Sequence, residues 1–240
     1  MKKTLIALVA LAGVAAAADT ITLGTQVVKP DNTKIDLYTD WETYKADTSV
    51  VEAIGHKNAN TLTFYVKVSD LFGADTLDAA TSYTLKTFSY LGWDDDGELG
   101  QGDTLTVTLG TQSVTATITD VHVTGSYDPK NTVTFTDTLN FTTADILTVT
   151  LTGGNSTLVG IKYIDSPTNN KVLGSASNLN TDGTMNYWHE DRNNAANAWQ
   201  GGWKTDAPVV QLTATFIPEP ATATLSLLAL AGLAARRRRK

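Results

Sequence analysis

The sequence predicts an all-β fold. The expected form is an antiparallel, jelly-roll-like β-sandwich with a signal peptide before it and a short C-terminal transmembrane helix after it. Three observations predict this. Forty threonines among 240 residues fall largely in alternation with apolar residues, the period-two pattern of a strand with one dry and one wet face. Helical periodicity is scarce. Turn clusters such as Ser126-Tyr127-Asp128-Pro129-Lys130-Asn131, Thr152-Gly153-Gly154-Asn155 and Asn180-Thr181-Asp182-Gly183 punctuate the chain without βαβ spacing.

The first element is the leader, MKKTLIALVALAGVAAAA. Lys2 and Lys3 form a basic start, Thr4 to Val14 an apolar run, and Ala15 to Ala18 a small-residue cleavage region. That order is a secretory signal peptide, and the run is too short for a membrane anchor. Residues 1–18 are therefore set apart from the fold. Residues 40–51 and 193–199 have room for short helices. Leu62 to Val68 alternates cleanly, with Leu62, Phe64, Val66 and Val68 inward.

Tyr83 to Tyr90 alternates too, but its phase breaks near Thr87, which predicts a bulge. Thr104–Leu109, Val114–Ile118, Thr132–Thr136 and Leu147–Leu151 carry the strictest alternation. Threonine suits the wet face because it is both β-branched and polar. Leu158–Ile164 and Val209–Phe216 complete the set. Roughly ten strands in a unit of about 200 residues suit a jelly roll better than an immunoglobulin-like domain of about 100. Two tandem immunoglobulin-like domains are the rival. No Pro-, Gly- or Ser-rich linker and no internal repeat divides the middle, so residues 19–217 read as one domain.

The last element is PEPATATLSLLALAGLAARRRRK, residues 218–240. Pro218, Glu219 and Pro220 can neither continue a strand ladder nor sit inside a helix. Ala221–Ala235 is free of charge, and Arg236, Arg237, Arg238, Arg239 and Lys240 follow. A cationic block behind an apolar run halts translocation and stays cytoplasmic. The run is shorter than the ~20 residues of an average span, and snorkelling arginines extend its reach.

Motif, apolar run and arginine block, in that order at the C-terminus behind a signal peptide, resemble the PEP-CTERM sorting signal of Gram-negative bacteria. The resemblance covers residues 218–240. It implies that an exosortase-type membrane protease-transpeptidase recognises Pro218, Glu219 and Pro220, removes the tail and passes the protein from the inner membrane to the cell surface or extracellular matrix. The implied partners are the secretion machinery, the exosortase and extracellular polysaccharide. The alternative is a plain C-terminal anchor with Pro-Glu-Pro as linker.

Between the two ends, residues 19–217 carry 11 basic and 24 acidic residues, a formal charge of −13. Such a body repels phosphate backbones, so nucleic acid is not an expected partner. With no cysteine there is no disulfide framework or thiolate chemistry.

Two segments stand out as candidate sites. The first holds Asp94, Asp95, Asp96, Glu98 and Asp103. Carboxylates among glycines are what calcium takes, although the EF-hand spacing is not met. Calcium is the only cofactor the sequence suggests. The plainer reading is a solvated hairpin loop between Tyr83–Tyr90 and Thr104–Leu109. The second holds Tyr187, Trp188, Trp199 and Trp203, three of the five tryptophans within sixteen residues. Aromatic faces stack on the apolar faces of sugars while neighbouring polar groups bind hydroxyls. The plainer reading is a hydrophobic plug under a long loop.

His189 beside Glu190 is weak ground for acid–base chemistry, because neighbours in a strand face opposite ways. His56, His122 and His189 are scattered. No G-x-S-x-G, phosphate-binding glycine loop or HExxH is present. A glycosidase needs two carboxyl groups about 5–9.5 Å apart, which sequence cannot select among 24 acids. The expected function is a non-enzymatic surface or matrix protein that binds glycan through its loops. The alternatives are a secreted glycoside hydrolase or lyase and a ligand-free structural component.

Overall fold

The computed structural model describes residues 19–46, 51–58, 61–92, 102–119, 130–153, 157–163, 171–176, 179–185 and 207–217. Among these it is mostly β. In chain order the strands are β1 (Thr20–Gly24), β2 (Gln26–Val28), β3 (Lys34–Asp36), β4 (Val51–Asn58), β5 (Thr61–Lys67), β6 (Tyr83–Leu91), β7 (Thr104–Leu109) and β8 (Gln112–Thr117). They continue with β9 (Lys130–Thr134), β10 (Asn140–Phe141), β11 (Ile146–Thr152), β12 (Thr157–Tyr163), β13 (Lys171–Leu173), β14 (Ser175–Ala176), β15 (Ala207–Pro208) and β16 (Val210–Phe216). One α-helix, α1 (Trp41–Ala46), interrupts them.

Every pairing is antiparallel. One five-stranded sheet runs β1-β16-β6-β10, with β9 also on β6, and a second runs β14-β5-β11-β7-β8. Two smaller sheets run β15-β12-β4 and β13-β2-β3. The threonine alternation is the reason for the large sheets. In β11, Leu147, Val149 and Leu151 are fully buried while the threonines between them face outward. Both five-stranded sheets supply one hydrophobic cluster, in which Phe64 of β5 meets Phe88 of β6 with ring centroids 6.2 Å apart.

All eight strands expected from alternation are present, with ends within two residues of those expected. The break in β6 is also present. Thr87 pairs with Thr213 and Leu85 with Ala214, so Lys86 is an extra residue. Its carbonyl accepts a bond from Phe135 N at 2.9 Å. The extra residue moves the inward set from Tyr83 and Leu85 to Phe88 and Tyr90.

Residues 40–51, which have room for a short helix, hold α1 over Trp41–Ala46, and a strand begins at Val51. The strands β1 to β4 carry too short or too irregular a pattern to announce themselves. The hairpin expected between β6 and β7 is not formed: β6 pairs with β16, β9 and β10, whereas β7 pairs with β11 and β8. The acidic segment between them therefore joins the two large sheets. The possible helix at 193–199 lies outside the described residues.

A second, smaller cluster joins Val27, Leu37, Tyr38, Trp41, Leu91, Val172, Ala207 and Val209. Asp36 sets its entry. Its Oδ1 accepts from Tyr38 N and Thr39 N, and its Oδ2 from the Thr39 hydroxyl, shaping the turn that leads into α1. That turn delivers Trp41 into the cluster, where it is fully buried. A buried polar node sits beside it. Thr25 Oγ1 accepts from Val210 N at 3.0 Å and contacts Ser175 Oγ at 3.3 Å, and the Ser175 hydroxyl bonds the carbonyl of Pro208. The node ties β15 and β16 to the β1–β2 junction, satisfying groups that burial would otherwise penalise.

Candidate functional site

The fold roots both candidate segments at one place. Residues 93–101 leave β6 just after Leu91, and residues 186–206 re-enter the fold at Ala207. Leu91 N donates to Val209 O at 3.1 Å, so the two attachment points are bonded neighbours. Leu91 also pairs with Lys130, where residues 120–129 rejoin the fold. One attachment point of each of three segments, scattered in sequence over a hundred positions, therefore lies beside the end of β6. Leu91, Ala207 and Val209, with Tyr38 and Trp41, belong to the smaller apolar cluster, so that cluster is the floor beneath the roots. Above the floor, Lys130 Nζ lies 4.8 Å from the centroid of the Tyr38 ring, a cation–π contact that fixes the start of β9.

Of the acidic candidates, Asp103 is described. It precedes β7 and is 6% exposed. Its carbonyl accepts from Ile118 N at 2.8 Å, while Gly102 N donates to Ile118 O at 3.0 Å. Its carboxylate lies so close over Gly153 that any side chain there would collide with it. Asp103 is thus a packed junction between the β6–β7 connection and the end of β11, not a solvated loop residue. Asp94, Asp95, Asp96 and Glu98 lie outside the described residues. So do Tyr187, Trp188, Trp199 and Trp203, the histidines His122 and His189, and the tail with Pro218, Glu219, Pro220 and Arg236–Arg239. Among the described residues no group of three His, Asp or Glu side chains could hold a metal ion, and no helix is long and apolar enough to cross a membrane.

Sequence reasoning passed over Trp41, Tyr38 and Lys130, which build the floor. The available signal was the Asp36-to-Asp40 turn preceding a tryptophan. Nothing local announces that Lys130 would meet Tyr38, some ninety positions away.

Elsewhere three acids are lowered by close partners. The Lys34 ammonium, 2.7 Å from Asp75 Oδ2, holds that carboxyl below its ordinary 3.8. Bonds from the Thr33 backbone and from the Thr184 hydroxyl do the same for Asp31 and Asp182. All three are turn and surface features.

No protein-family model, curated protein or solved structure matches the chain.

Proposed function

We propose that this is an exported protein of the cell surface or extracellular matrix of a Gram-negative bacterium. Its tail is a PEP-CTERM-type signal read by an exosortase-type enzyme, and its loops bind extracellular polysaccharide. The observation that carries the reading is the order Pro218-Glu219-Pro220, fifteen uncharged residues, four arginines. The fold is consistent with that division: β16 ends at Phe216, and Ile217 N donates to Ser82 O at 3.0 Å just before the motif.

Two five-stranded sheets sharing one apolar cluster support a jelly-roll-like sandwich for the exported body. The common root of the acidic and aromatic segments supports a single ligand-binding end that carries Tyr187, Trp188, Trp199 and Trp203.

Changing Pro218, Glu219 and Pro220 together to alanine tests the sorting role. Fractionated cells should hold the variant as uncleaved precursor in the inner membrane. Wild-type delivery of the variant to the surface would overturn the reading.

A further inference from the structure

The outer face of the sheet β5-β11-β7-β8 is a lattice of hydroxyl groups. Register places Thr63, Thr150, Thr106 and Thr115 in one row across the four strands. The next row is Tyr65, Thr148, Thr108 and Ser113. A third row, from Thr61 to Thr117, is threonine throughout. All twelve positions are exposed or half-exposed. Strand geometry sets the lattice at about 4.8 Å across strands and about 6.8 Å along them.

The hydroxyls are held by each other. Thr63 and Thr150 are 3.2 Å apart, and Thr106 and Thr115 are 2.9 Å apart. β-Branching holds the methyl groups just as firmly, so the face presents fixed polar and apolar points in alternation.

Acids are kept off these strands, and the one cation on the face, Lys67 a row beyond Tyr65, is paired with Asp70 at 3.1 Å. None of the 24 acids of residues 19–217 lies in the ten strands of the two large sheets. The outer face of the other large sheet is less regular, because Lys86 breaks its ladder and Gly24 and Gln211 replace hydroxyl residues.

We infer that this face is a second binding surface, for an uncharged polysaccharide chain laid across the strands. The charge of the body, one tyrosine and the sheet's twist select that occupant. Residues 19–217 carry a formal charge of −13, which repels polyanions. Tyr65 stands at one end of a hydroxyl row, and an aromatic ring followed by spaced hydroxyls matches a sugar ring followed by its neighbours' hydroxyls. A twisted sheet departs from any flat crystalline plane after a few strands, whereas a flexible polymer follows it, which favours glycan over ice. Each contact is weak, and many along one chain add by avidity. The inference deepens the polysaccharide reading above but places the contact on strands rather than on the tryptophan-bearing loop.

The test uses the full chain in mild detergent, with insoluble β-1,4-glucan and β-1,3-glucan, alginate, and growing ice as probes. Wild type should be retained on at least one neutral glucan, without loss in moderate salt, and on neither alginate nor ice. Changing Thr63, Thr106, Thr115 and Thr150 to valine keeps shape and strand preference and removes four hydroxyls. That variant should keep the wild-type melting temperature and bind about tenfold more weakly. The corresponding serine variant should bind like wild type.

Should the valine variant fold poorly, Tyr65→Ala decides the matter, with the same tenfold loss expected. Trp188→Ala with Trp203→Ala separates the two surfaces: glucan binding lost there and kept in the valine variant would overturn the face and retain the loop. Retention on ice alone, or on none of the probes, would also overturn the inference, and neither result bears on sorting by the tail.

Discussion

Gly24 pairs with Gln211 at the end of β1, and a methyl group there would lie 2.6 Å from Asp36 Oδ1. Asp36 cannot simply swing away, because its carboxylate holds two backbone amides and a hydroxyl at the entry to α1. Gly24→Ala should therefore destabilise the protein by about 1–3 kcal/mol, as overpacking does. Urea unfolding measures this, and an unchanged midpoint would contradict it.

Asp75 gives a pH-dependent counterpart. Its carboxyl is lowered by Lys34, so its contribution is present above 3.8 and is lost as pH falls through the folded-state value. Asp75→Asn should be slightly less stable than wild type at neutral pH. The gap should close as pH drops below 3.8, followed by thermal melting at steps of pH. A gap that widens in acid would refute the assignment.

At the scale of elements, the long alternating strands were readable because threonine and aliphatic residues mark the two faces directly. Thr104 to Leu109 could be nothing but a half-buried strand, and the phase slip near Thr87 exposed the extra residue at Lys86 before any pairing was known. The early strands were not readable for a physical reason. Thr25, between β1 and β2, joins the buried node with Val210 and Ser175, a partnership across about 150 to 185 positions that no local window contains. Residues 40–51 had room for a short helix, and α1 occupies Trp41–Ala46 of them.

The bulge makes a clean prediction. Deleting Lys86 should leave Tyr83, Leu85, Phe88 and Tyr90 inward in an unbroken ladder, losing the Phe135 N bond to the Lys86 carbonyl, and the protein should still fold. Deleting Thr106 puts Leu105 and Val107 on opposite faces, and that variant should not fold. Near-ultraviolet circular dichroism and melting distinguish the two, and equal behaviour would refute the register.

At the scale of the whole molecule, the arrangement gathers attachment points of three segments beside the end of β6. The roots of residues 93–101, 120–129 and 186–206 share Leu91, Lys130 and Val209, above a floor of Trp41 and Tyr38. The sequence suggested the acidic and aromatic segments separately, from composition alone. Their common attachment was not legible, because it depends on β6 pairing with β16 at a separation of more than a hundred residues. Asp103, which composition grouped with the acidic loop, is packed over Gly153 at the end of β11, a contact no local window contains.

The ends of the chain, in contrast, are local signals, and a single measurement tests them. Intact-mass analysis of the protein recovered from the surface of the producing cell should give a species that begins at Asp19 and lacks the apolar run and arginines that follow Pro220. A full-length mass from Met1 to Lys240, recovered from the cytosol, would contradict the account.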